Sequence, residues 1–292
     1  MSSSPLAPPF GTTSLFDLLE KLEADPETPG RYHVTVDGGW MQGRTVYGGL
    51  VAGLALAAAR RTLIPAFSPA GAPPDPACLP PLRAAEVAFI GPAGHALELQ
   101  VSILRRGRRV TFAGVDVFSE GALATRLLFT FAAGRDSGLT MPPARPLPGH
   151  LKPLESGVQL ARSDGPAFLA HFDAWLVAGD LPGGGGSDTD IHVWTRINDP
   201  RLDEVPPAVA FLTLGDVLPP AILSRLDGFA PLSSLTWSIN LRHVPDRGAL
   251  GWVLLNSRAD WAAHGYSGQT MAAWDGDGVL MATAHQTVAV FA

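Results

Sequence analysis

Three polar residues in the second half of the chain are of types that can exchange a proton and hold a small molecule by hydrogen bonds: the acid Asp216, the hydroxyl Ser234 and the amide Gln286. Asp216 lies in Ala210-Phe211-Leu212-Thr213-Leu214-Gly215-Asp216-Val217-Leu218. A carboxylate in such an apolar helical stretch is costly unless it is hydrogen-bonded or used. Gln286 interrupts Met281-Ala282-Thr283-Ala284-His285-Gln286-Thr287-Val288-Ala289, and Ser234 opens Ser234-Leu235-Thr236 after Pro231-Leu232-Ser233. Each has a plainer reading when taken alone: a helix cap for Asp216, an outward strand position for Gln286, a turn residue for Ser234. Their occurrence together in one half is what singles them out.

Other chemistries lack their residues. Gly265-Tyr266-Ser267-Gly268 has the first glycine of a nucleophile elbow, but the second comes one position early, which argues against a serine-nucleophile hydrolase. The eight histidines include no i, i+4 pair around a glutamate, and the single cysteine, Cys78, allows neither an internal disulfide nor a cysteine metal cluster. No metal and no cofactor is expected. Gly183 to Gly186 lacks the lysine and hydroxyl of a phosphate-binding loop, and no dinucleotide-binding glycine pattern follows a strand. A net charge of -6 gives no general attraction for nucleic acid or an anionic membrane, so an anionic ligand has to be held by local arginines. Apolar residues at 46% against 16% charged residues predict extensive burial. Met1-Ser2-Ser3-Ser4-Pro5 lacks the basic and apolar regions of a signal peptide, and no apolar run approaches a membrane span of ~20 residues, so a cytoplasmic location is expected.

The elements that would carry these residues occur twice. Leu82 to Pro92 and Leu235 to Pro245 both read as a strand closed by proline, and both the leucine and the proline recur 153 positions later. Gln100 to Leu104, Val110 to Phe118 and Ala122 to Phe131 are strands of the first half. Trp252 to Leu255, Gln269 to Trp274 and Val279 to Phe291 are their counterparts. Ser119-Glu120-Gly121 and Asp275-Gly276-Asp277-Gly278 supply hairpin turns. Tyr32 to Val36 and Ile191 to Ile197 are candidate first strands. Each half also has one helical segment. Gly49 to Leu63 has almost no polar face and must be buried on most sides. Pro206 to Leu226 plays that part in the second half, broken or restarted at Pro219-Pro220. The predicted architecture is α+β: a long central helix wrapped by an antiparallel sheet of about five strands, twice over. Residues 1–140 form the first domain, a proline-rich segment at 141–155 the linker, and 156–292 the second domain, which carries Asp216, Ser234 and Gln286.

Several short motifs resemble the acyl-CoA thioesterase II (TesB-like) double-hotdog family. Val46-Tyr47-Gly48-Gly49-Leu50-Val51-Ala52-Gly53 is similar to the start of that family's first central helix, with Leu50 where the family carries glutamine. Leu104-Arg105-Arg106-Gly107-Arg108 resembles its bend, and Trp194-Thr195-Arg196 its Trp-x-Arg strand. The resemblance implies two antiparallel sheets, each wrapped around a central helix, and hydrolysis of acyl-CoA thioesters. It also implies a water oriented by a helix-borne acid (Asp216), a strand-borne hydroxyl (Ser234, with Ser233 and Thr236 close in register) and an amide near the C-terminus (Gln286). Substrate contacts fall on Gly48, Gly49, Leu50 and Thr236, with an acyl channel near Leu50, Leu54 and Phe211. CoA phosphates fall to Arg105 and Arg106, to Arg108 and Arg109, or to Arg60 and Arg61. The rival readings are a hotdog enoyl-thioester hydratase or dehydratase, with His285 or His192 as its base, and a non-catalytic acyl-CoA-binding protein. A homo-dimer or homo-tetramer fits the exposed sheet edges.

Overall fold

The structure is a computed structural model and describes residues 13–143, 145–149, 151–160, 165–228, 230–245 and 248–291. The leader reading at residues 1–5 and, in the linker, Ala144 and His150 lie outside the described residues.

The first half opens with α1 (Leu15–Glu20), β1 (Glu23–Ala24), β2 (Arg31–Thr35) and the small hairpin β3 (Met41–Gln42) and β4 (Thr45–Val46). Then come α2 (Gly48–Phe67), β5 (Leu82–Phe89), β6 (Ala96–Arg106), β7 (Val110–Ser119) and β8 (Ala122–Ala132). The second half runs β9 (Val158–Gln159), β10 (Phe172–Ala178), β11 (Asp190–Ile197), α3 (Pro207–Gly215), β12 (Leu232–Leu241), β13 (Val253–Ala263), β14 (Tyr266–Asp275) and β15 (Leu280–Val290). The repeated order of a helix followed by four strands is the one expected from the sequence. Alternating burial along β7 and β8 marks one face of the sheet as turned to the core.

The two hotdog sheets are joined. β5 pairs antiparallel with β12, from Thr236 opposite Ala88 to Asn240 opposite Ala84, so the strands form one 13-stranded sheet in the order β1-β2-β6-β7-β8-β5-β12-β15-β14-β13-β11-β10-β9. Pairing these two edges leaves neither exposed. The hairpin turns fall as predicted at Glu120 (φ 52°) and Gly121 (φ 78°). A further turn, at His264 (φ 53°) and Gly265 (φ 79°), joins β13 to β14. β13 runs eight residues beyond the expected strand end at Leu255. Strand β10 was not anticipated although Gly179 follows it directly, because both faces of its run Phe-Asp-Ala-Trp-Leu-Val-Ala are largely buried and leave no clean alternation to read.

The two helices differ in length. α2 spans 20 residues with Leu50 through Ala59 buried. By length and composition it could cross a membrane, which exceeds what the sequence reading allowed, but that burial is typical of a core helix. The second helix is shorter than predicted. α3 ends at Gly215, and Ala221–Arg225 follows as a separate 3-10 turn, because Pro219 and Pro220 have no N–H to continue a helix. α2 and α3 cross antiparallel with little between them. A Cβ on Gly49 would overlap the Tyr47 hydroxyl and lie 2.5 Å from the Thr213 carbonyl oxygen, and one on Gly53 would overlap the Thr213 hydroxyl. Gly49 and Gly53 are four apart and therefore share a face, which they keep bare for α3.

Gly49→Ala is expected to force this crossing apart and to destabilise the fold by about 1–3 kcal/mol. Thermal denaturation of the variant checks this, with a melting temperature several degrees below that of the parent as the expected result.

Candidate functional site

The start of α2, the end of α3 and the sheet converge on Asp216. As the residue that ends α3 (φ −102°, ψ 9°), it is the cap that one reading of the sequence allowed. Its carboxylate turns across to the start of α2. There the Gly49 N–H donates to it, and a Cβ on Gly48 would lie 2.7 Å from Oδ2. Only a glycine at position 48 leaves the carboxylate uncovered.

The sheet supplies the other two groups. Gln286 on β15 is 4% exposed, and its Nε2 donates to Asp216 Oδ1 at 3.0 Å and to Ser234 Oγ at 3.0 Å. Ser234 reaches this position through a β-bulge. Along β12, Trp237 stands opposite Gln286 and Thr236 opposite Thr287, but Ser234 stands opposite Val288, so Leu235 is the extra residue. The bulge turns both Ser234 and Trp237 toward the core, which strict alternation would forbid for residues three apart. It also separates the neighbouring hydroxyls: Ser233 and Thr236 are exposed, and Thr236 lies on the outer face. Of the three hydroxyls considered in the sequence, Ser234 is the one within hydrogen-bond distance of Gln286.

Burial dominates the electrostatics. It lifts the Asp216 carboxyl from 3.8 to about 7, against the opposing hydrogen bonds from Gln286 and Gly49. A carboxyl in that range can both take and return a proton near neutral pH. Beneath it, Tyr47 donates its O–H to the Thr213 carbonyl at 2.7 Å and stacks on Phe168 at 4.1 Å, fixing the first turn of α2.

The remaining sequence candidates divide. Gly48 and Gly49 belong to the site. Leu50, Leu54 and Phe211 are 0–2% exposed, and the space beside Phe211, Gly215 and Trp237 is a cavity of about 20 Å³, so the expected acyl channel is closed in this state. Arg105 and Arg106 are not brought to Asp216. The Arg106 guanidinium lies 4.7 Å over the ring of Phe67, the last residue of α2, whereas Asp216 is at its first. A helix of this length separates them by about 28 Å. Arg61 is committed to the Leu19 and Leu22 carbonyls at 2.6 and 2.5 Å. Arg60, on the same helix, is held below its usual pKa by burial. Arg108 and Arg109 stand in the turn beyond Arg106. His285 is exposed and points to the face opposite Gln286, and His192 sits on β11, three strands away from β15 in sheet order. Neither supplies a base beside Asp216. Among the described residues no cluster of histidine, cysteine, aspartate and glutamate could hold a metal.

One participant went unrecognised in the sequence. Gln269 on β14 stands directly opposite Gln286 and donates Nε2 to Gln286 Oε1 at 2.5 Å. Its place inside a strand, among residues of no special pattern, left nothing to mark it.

The fold has close parallels of known structure. A conserved hot dog fold protein from Alicyclobacillus acidocaldarius superposes with a TM-score of 0.77 at 21% identity, covering 96% of this chain and 99% of the other. A tesB protein from Mycobacterium avium subs paratuberculosis gives 0.69 at 18% identity, covering 95% and 99%. An acyl-CoA thioesterase II, TesB2, from Mycobacterium marinum gives 0.69 at 18%, covering 95% and 98%. These likenesses establish the double-hotdog fold. A comparison with curated proteins finds no match. Family models do match: the acyl-CoA thioesterase N-terminal domain over residues 36–132 and the C-terminal domain over residues 143–290. With both halves matched in order and the fold shared end to end, the chain belongs to the acyl-CoA thioesterase family and is a thioester-hydrolysing enzyme.

Proposed function

We propose that the chain hydrolyses acyl-CoA to the free acid and CoA by direct attack of a water held by Asp216, Ser234 and Gln286. The observation that carries this reading is the Gln286 amide, which donates one hydrogen to the carboxylate and the other to the hydroxyl. Both acceptors are thereby turned toward one spot, and the Ser234 O–H, whose oxygen is already accepting, is left free to donate.

In this scheme Asp216 takes a proton from the water as its oxygen bonds to the thioester carbonyl carbon. The developing oxyanion is received by N–H groups of the first turn of α2, around Gly48, where the helix dipole favours negative charge. The C–S bond then breaks, and the CoA thiolate leaves with the proton returned by Asp216. No covalent acyl-enzyme is needed, since a thioester carbonyl is electrophilic enough for a positioned water. The acyl chain enters the small-residue space behind Trp237, lined also by Gly215, Ala273, Ala282 and Ala284, once the indole moves aside. The proline-rich segment at 141–155 links the two halves of this arrangement.

Purified protein incubated with acyl-CoAs from short to long chain is expected to release free thiol. Asp216→Asn should lower kcat about 100-fold or more and Ser234→Ala about 10-fold or more, with KM little changed. Thiol release undiminished in Asp216→Asn overturns the scheme. Because the reactive form is the carboxylate, kcat/KM should rise with pH and level off above about 7.

The same carboxyl links stability to pH. Its folded value, about 7, lies above its ordinary 3.8, so between these values the unfolded chain has lost the proton while the native one keeps it. Stability from this group is complete below about pH 4, falls as pH rises toward about 7, and is level above. Asp216→Asn removes the dependence and should gain on the parent across that window, by an amount on the order of a few kcal/mol. Melting temperatures of both proteins measured from about pH 4 to about pH 8 check this; a difference that stays constant contradicts a raised carboxyl.

A further inference from the structure

We propose that Gln269 is a positioning residue for the hydrolytic site, fixing which way the Gln286 amide faces; this rests on the role given above to Asp216, Ser234 and Gln286. A glutamine amide has a donor end and an acceptor end of almost the same shape, so Gln286 could present either to Asp216. If it presented its oxygen, the carboxylate would lose a donor and meet a second acceptor instead. Something outside the amide must set the direction.

The direction is set from a backbone group that cannot reverse. The Ala221 N–H donates to Gln269 Oε1 at 2.9 Å, so the Gln269 oxygen must face Ala221 and its nitrogen must face Gln286. That nitrogen donates to Gln286 Oε1. The Gln286 nitrogen is then turned to Asp216 and Ser234. The Ala221 N–H is free to start the chain because it opens a 3-10 turn and the two residues before it are prolines. Gln269 is 3% exposed and directly opposite Gln286, so no water competes for these bonds.

The 3-10 turn is itself held by the glycine-rich loop Gly183 to Gly186. Gly183 N–H donates to the Leu223 carbonyl, Gly185 N–H to that of Leu226 and Gly186 N–H to that of Ser224, each at 2.8 Å. Asp180 closes the same loop by accepting from the Ser187 and Asp188 N–H groups, both at 2.8 Å. The polarity of the site is thus anchored in a segment remote from it in sequence.

Two variants and one measurement on the unaltered protein test this. In Gln269→Glu the Ala221 N–H keeps its acceptor, but Gln286 is left without a donor and should turn its nitrogen to the introduced carboxylate. In Gln269→Met the direction is unset with no charge added. Both should lower kcat at least 10-fold with KM nearly unchanged, and both should move the midpoint of the kcat/KM profile upward, a shift that a purely structural loss would not give. A folded variant of either kind with the parent's kcat and midpoint overturns the proposal. In the unaltered protein, side-chain amide resonances of Gln286 and Gln269 followed by NMR should shift together at a single midpoint as Asp216 titrates. A Gln269 amide that does not sense that titration overturns the proposal too, without reference to activity. If the unaltered protein releases no thiol from any acyl-CoA while the two amides titrate together, the hydrolytic reading fails and the orienting role stands.

Discussion

The position of Asp216 depends on the bare contact between α2 and α3. Because Gly49 and Gly53 carry no side chain, the last turn of α3 lies against the first turn of α2. The carboxylate that caps the end of one helix reaches the N–H groups that begin the other. Two influences then oppose each other. Desolvation penalises the ionised acid, while the Gly49 N–H, the Gln286 amide and the positive end of α2 favour it. Desolvation wins clearly, yet leaves the group ionisable near neutrality. A side chain at position 49 would separate the helices, and one at position 48 would fill the space above the carboxylate.

The sheet completes the site by register. Trp237, Gln286 and Gln269 stand side by side on three adjacent strands and face the core together. The bulge at Leu235 adds Ser234 to the same face. The duplication does not reproduce this. At the 153-residue offset, the counterpart of Ser234 is Pro81, which has no hydroxyl and cannot serve. The arginine-rich bend between β6 and β7 stands at the far end of α2, beside Phe67, and has no part at Asp216. One half of the duplicated fold has kept polar residues at its helix end; the other supplies the glycine-bearing helix start that faces them.

Much of this was legible in the sequence because the signals were local. Strands with alternating apolar residues, hairpin glycines and an alanine-rich helix declare themselves within a dozen residues. Asp216 and Gln286 stood out because they interrupt apolar runs. What the sequence hid was set by partners distant along the chain. The choice of Ser234 over Ser233 and Thr236 depends on a bulge, which has no sequence mark here. Gln269 has meaning only beside Gln286 and Ala221, and the distance between the arginines of the bend and the acid follows from the length of α2, with Arg106 over Phe67 at its far end. β10 was missed because both its faces are largely buried and it shows no alternation, and the second helix, expected to break or restart at Pro219-Pro220, stops earlier at Gly215 and resumes as a 3-10 turn at Ala221.

The central claim is that water, and not Asp216, attacks the thioester. A single turnover with enzyme in excess over acyl-CoA, run in water enriched in oxygen-18, tests it directly. Mass spectrometry should find one labelled oxygen in the released acid and none in the protein. Label appearing instead in the peptide that contains Asp216, with unlabelled acid released, would mean that the carboxylate itself attacks through an anhydride, and would contradict the account.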